Sequence, residues 1–107
     1  MKLLIKEKVL DYEGKEIVGK EGDTPLTYFD VFATALSANM PGEVLTAEEK
    51  SRIYQCATKL FASKEPDFTV EQLSLIKERV GKVYNALVFG RVCDFIDGDK
   101  KPSGTAN

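Results

Sequence analysis

The sequence has no histidine and only two cysteines, Cys56 and Cys93. Composition therefore excludes histidine-based acid–base and nucleophilic chemistry, and a cysteine nucleophile would lack its usual base. A zinc-type site needs more Cys or His ligands than the chain holds. No catalytic residue, no metal and no cofactor is expected. Both cysteines fall in predicted helices among apolar neighbours, where a thiol packs as a small hydrophobe, and a reducing compartment disfavours a disulfide. Long apolar runs are missing too: no stretch approaches the roughly 18 residues of a membrane span. The basic and apolar start, MKLLIKEKVL, is interrupted by Lys6, Glu7 and Lys8. No small-residue cleavage site follows it, so a signal peptide is not expected.

Other chemistry-bearing patterns are also absent. No phosphate-cradling glycine loop occurs. Gly81 and Gly90 stand alone inside predicted helices, where they are expected to permit close packing. The Asp97-Gly98-Asp99-Lys100 segment is too short for a calcium loop and lacks the later bidentate Glu. The paired carboxylates Glu48 and Glu49 lie in the first turn of a predicted helix, where they complement its dipole.

What is present is an ordinary globular balance, with 43% hydrophobic and 30% charged residues over 107 positions. That length implies one modest core. The reading is a single globular domain over residues 1–97 followed by a disordered tail over 98–107, whose GDKKPSGTAN offers nothing apolar to anchor it. Net charge is −2 but unevenly spread. Residues 1–20 carry five Lys against four acids, 21–50 one Lys against six acids, and 51–107 nine basic against seven acidic groups. A pI near 5.2 does not point to electrostatic binding of nucleic acid, although a local basic patch can still bind it.

The longest apolar-periodic stretch, Phe68 to Ile96, predicts two consecutive helices that supply most of the core. Thr69 and Gln72 form a capping box there, with Phe68 and Leu73 as the hydrophobic staple. Leu73, Ile76, Val80 and Val83 then give one apolar stripe. Near Tyr84-Asn85 the phase changes, and Leu87 to Ile96 is apolar on more than one side. Upstream, a helix is predicted from Thr27, with Asp30 in the third position and Phe29, Phe32, Ala33 and Leu36 facing inward. Another starts at Thr46 with Glu49, with Ile53, Ala57, Leu60 and Phe61 as its stripe and Tyr54 and Cys56 beside it. Residues 2–18 read as a β-hairpin: Leu3, Ile5 and Val9 suit a strand, and Glu13-Gly14 supplies the turn. Leu4 and Leu10 blur the alternation. Gly19 to Pro25 reads as a loop. The expected fold is α+β, an N-terminal β-hairpin packed on a bundle of about four helices.

Three surfaces are candidate sites. Leu87, Val88, Phe89, Val92 and Phe95 carry more apolar area than one core face needs, which suits a protein interface or self-association as well as a core. Lys77, Arg79, Lys82 and Arg91, with Tyr84 nearby, form a basic helical face able to meet phosphates and a base. Glu43, Glu48 and Glu49, with Asp30 and Asp23, form an acidic span that suits a basic groove on a partner. For the two charged faces the plain alternative is a solvated surface.

The order of features resembles that of small accessory proteins encoded by tailed bacteriophages and prophages. The residues that carry the likeness are Leu26-Thr27 with Asp30-Val31, Thr46 to Lys50, Leu75 to Tyr84, and Leu87 to Val92, following a lysine-rich hairpin with a glycine turn. The resemblance implies a non-enzymatic accessory protein in the bacterial cytosol, one that binds a host or phage protein to inhibit a defence or regulatory factor or to aid assembly. It brings no catalytic residues. The alternative is a small nucleic-acid-binding accessory using the basic helical face.

Overall fold

A computed structural model describes residues 1–18 and 24–98. Most of the expected Gly19–Pro25 loop and all but the first residue of the expected tail lie outside them. The described residues contain four helices: α1 (Tyr28–Ser37), α2 (Ala47–Ala62), α3 (Val70–Val83) and α4 (Ala86–Asp97).

Each helix begins where its own sequence supplies partners for the first amides, which have none inside the helix. The Thr27, Thr46 and Thr69 hydroxyls accept from the amides of Asp30, Glu49 and Gln72 at 3.1–3.2 Å, and each third residue accepts from its threonine amide in return. At α4 the Asn85 side chain accepts from Val88 N at 3.1 Å. The phase change near Tyr84 is thus the boundary between two helices.

The bundle is built around α1, which packs against both α2 and α3, while α4 closes on α3. Val31, Phe32 and Ala35 of α1 are fully buried, together with Cys56 and Leu60 of α2, Ile76 and Val80 of α3, and Val92 of α4. At the far side Tyr28 and Phe95 stack with ring centroids 3.9 Å apart and planes 5° from parallel, which ties α4 to the start of α1. Gly81 gives the approach of α4 its room: a Cβ there would stand 3.2 Å from the Phe89 ring. Gly90 meets nothing within 4 Å, so close packing does not explain it.

The expected α+β fold is not what forms. Residues 1–18 make isolated bridges, Lys2 with Asp67, Lys8 with Thr27, Leu10 with Glu16 and Val18 with Pro25, and none extends into a ladder. The reason is where the backbone groups go. A turn closed by Glu7 N to Leu4 O (3.1 Å) splits the first segment. From this turn Ile5 O and Glu7 O accept from Phe29 N and Tyr28 N at 2.8 and 3.0 Å, so the segment supplies the first amides of α1 with acceptors. Its beginning is tied to the α2–α3 link through Leu3 N to Pro66 O and Phe68 N to Met1 O. The turn at Gly14 (φ +83°) does form, organised by the Asp11 carboxylate, which accepts from Glu13 N and Lys15 N. Leu3, Ile5 and Val9 are buried. The N-terminal segment is therefore an apolar arm laid on a helical bundle.

Candidate functional site

The four cations of the basic helical face are engaged within the chain. Arg79 is 2% exposed and points inward. Its Nε donates to Ala35 O (3.4 Å) and its Nη2 to Ala38 O (2.9 Å), the carbonyls that α1 leaves without partners at its C-terminal end. Its Nη1 donates to both oxygens of Glu43, at 2.8 and 2.7 Å. Lys82 donates to the same carboxylate at 2.9 Å. Lys77 pairs with Asp97 at 2.6 Å. Arg91 donates to Leu10 O and Asp11 O at 2.9 and 2.6 Å, and so fastens the arm to α4.

The acidic span is likewise engaged. Hydrogen bonds from Arg79 and then Lys82 hold the Glu43 carboxyl at about 2, well below its ordinary 4.5. Glu49 is lowered by its bonds to Thr46 in the capping box, Asp30 closes the box of α1, and Glu48 pairs with Arg52 at 2.7 Å. Asp23 lies outside the described residues.

The α4 group divides. Val88 and Val92 are in the core, and Phe95 is half-buried in the stack with Tyr28. Leu87 is half-buried, and Phe89 lies over Gly81 with 37% of its surface exposed.

More exposed apolar side chains lie elsewhere: Tyr12 on the arm, Val70 at the start of α3, Val44 on the loop into α2, and Tyr54 and Phe61 on α2. α1 and α2 run antiparallel, as two pairings show. Phe29 at the start of α1 meets Phe61 near the end of α2 edge to face, with centroids 5.0 Å apart. Leu36 and Ser37 at the end of α1 share a hollow with Ile53 and Tyr54. Between these ends the register brings Ala33 and Ala57, both half-buried, to the floor of the seam. Along this seam Phe61 is 64% exposed and Tyr54 69%, while Val44 stands in a separate hollow of the loop into α2. Sequence periodicity placed Phe61 in the buried stripe. In the structure Cys56 and Leu60 fill that role, and Phe61 stands at its edge. Tyr54 and Phe61 were detectable in principle. Apolar residues at 53, 54, 56, 57, 60 and 61 span too wide an arc for one buried face, and two residues seven apart share an edge of it.

Three lysines border the seam. Lys6 Nζ sits 4.6 Å from the Phe29 ring centroid, Lys64 lies at the Phe61 end, and Lys50 lies beside Tyr54. None has an ion-pair partner among the described residues. The hollows at the two ends contain no Asp or Glu in their lining.

Another concavity, about 700 Å³, lies between α2 and the first half of α3. That volume lies within the range of small-molecule sites, about 300–1,000 Å³, but several of its polar side chains already have partners. Thr69 and Gln72 belong to the capping box, Gln72 also accepts from Lys59, and Arg52 is paired with Glu48. Cys56 beneath it is buried, and burial raises its thiol, which keeps it in the unreactive protonated form. Among the described residues no group of three or more Cys, His, Asp or Glu is arranged to hold a metal ion. No family model, curated protein or solved structure matches this chain.

Proposed function

We propose that this chain is a non-enzymatic accessory protein that binds a partner protein through the α1–α2 seam. The observation that carries the reading is the exposure of Tyr54 and Phe61 along one seam, on a core that closes without them. Aromatic side chains are enriched at the centres of protein interfaces, where they bury much area at little entropic cost. The cations of the basic helical face, and Glu43, Glu48 and Glu49 of the acidic span, are engaged within the chain, which leaves little there for a partner to pair with.

The phage or prophage setting, and with it the bacterial cytosol, rests on the resemblance in the order of caps and core positions. No helix among the described residues is long and apolar enough to cross a membrane. In this setting the partner is a host or phage protein.

The test is to place a photoreactive benzoyl-phenylalanine at Phe61 and irradiate bacterial cells expressing the chain. A discrete crosslinked protein that disappears when Tyr54→Ser is added supports the reading. Catalytic turnover by the purified chain, with no crosslinked protein, overturns it.

A further inference from the structure

The seam also has a chemical character that narrows what fits it. Taking the seam to be the docking surface, as proposed above, we infer that its occupant is an acidic amphipathic helix of another protein. Two features of the geometry point there.

The first is shape. Tyr54 and Phe61 are seven residues apart on one helix, about 10 Å along its axis at 1.5 Å per residue. A partner helix laid along the seam presents apolar residues at i, i+3 or i+4, and i+7 over the same distance, which is how helices read hydrophobic grooves. A peptide adding as a β-strand would need a sheet edge to pair with, and the described residues make only isolated bridges.

The second is charge. Lys6, Lys50 and Lys64 are exposed at the borders of the seam, without ion-pair partners among the described residues. Elsewhere Lys8, Arg52, Lys77, Arg79 and Lys82 have carboxylates at 2.6–2.9 Å. The hollows at the two ends of the seam carry no carboxylate in their lining, and the carboxylate in the hollow beside Val44 and Lys50, Glu43, is already bonded to Arg79 and Lys82. A helix with an apolar stripe flanked by Asp or Glu satisfies both. It covers the exposed aromatics and supplies the missing anions, and complementary rim charges speed association and fix orientation. A second copy of this chain is a poorer match, because Asp30, Glu43, Glu48 and Glu49, four of the six acids of its most acidic segment, are already engaged.

The experiment selects binders from a displayed library of helical peptides with an apolar stripe and no charge bias on the other positions, using the full-length wild-type chain as target. The expected winners carry Asp or Glu flanking the stripe and lose binding to Phe61→Ser. They weaken at least about tenfold against the Lys6→Glu/Lys50→Glu/Lys64→Glu variant, more at low salt than at high. All three lysines are exposed, so this variant keeps the fold, which far-UV circular dichroism checks. Neutral or basic winners that still require Phe61 overturn the charge inference and leave the seam reading standing. Winners indifferent to Phe61→Ser, or no winners, overturn both. A wild-type homo-oligomer in light scattering that Phe61→Ser dissolves would place a second copy on the seam and overturn the proposal of an acidic helix from another protein.

Discussion

Arg79 shows at the scale of one residue how composition and position differ. Its charge placed it on a basic surface, but it sits at the edge of the Ile76–Val80–Val83 stripe, and α1 lies across that edge. There it meets two needs at once: the carbonyls at the C-terminal end of α1 lack partners, and the negative end of the helix dipole favours a cation. Arg79→Ala removes a buried cation from two carbonyls and a carboxylate and is expected to destabilise by about 3 kcal/mol, read from urea unfolding. Arg79→Lys recovers only part of this, because one ammonium cannot reproduce the planar fork. An unfolding midpoint equal to wild type for Arg79→Ala would contradict the capping role.

Glu43 carries the pH dependence of the same cluster. Its carboxyl is held at about 2 in the folded chain against an ordinary 4.5. A lowered value stabilises fully above the ordinary one, and that contribution is lost as pH falls from about 4.5 towards about 2. Glu43→Gln should therefore show a shallower loss of stability across this window than wild type, followed by chemical denaturation at a series of pH values. The slope that remains belongs in part to Glu49 and Asp67, which hydrogen bonds from Thr46 and from the N-terminal ammonium also lower. Equal slopes in wild type and variant would remove Glu43 from the account.

Helix starts are the elements most legible in the sequence, since each box is complete within four residues and needs no partner from elsewhere. The faces of the helices were less legible. α2 has apolar residues over a wide arc, and only the position of α1 decides that Leu60 goes in and Phe61 stays out. The two glycines make the same point. Alike in sequence, they differ in what α3 and α4 place beside them. Gly90→Ala meets open space and should stabilise by roughly 0.5–1 kcal/mol through the lost freedom of the unfolded chain and better helix propensity. Gly81→Ala must first displace the Phe89 ring, so its gain should be smaller or reversed. Thermal unfolding of the two variants side by side tests this, and equal gains would mean that Phe89 does not pack on Gly81.

The arm is a property of the whole molecule. Its residues alternate well enough for a strand, but an isolated hairpin is marginal in water, while the first amides of α1 offer acceptors from the arm a place on the core. Ile5 is fully buried and Leu4 is 52% exposed. Ile5→Ala should therefore cost about 2–5 kcal/mol, and Leu4→Ala little, within about 0.5 kcal/mol. Urea unfolding separates the two, and a small effect of Ile5→Ala would show the arm to be peripheral. Contacts of this kind link residues far apart in the chain, as Met1 is linked to Phe68, 67 positions on. No local pattern contains them.

By itself the sequence determined the chemistry that histidine would supply as out of reach, the starts of the helices, and most of the side chains that fill the core. Each depends on composition or on neighbours three and four residues apart. The tertiary structure alone decided that the arm feeds α1 and forms no sheet, that Arg79 is interior, and that Tyr54 and Phe61 remain outside beside lysines with no ion-pair partner among the described residues. Those outcomes depend on which helix end or which face arrives at a given side chain. That is settled by the competition of all buried groups for partners and space.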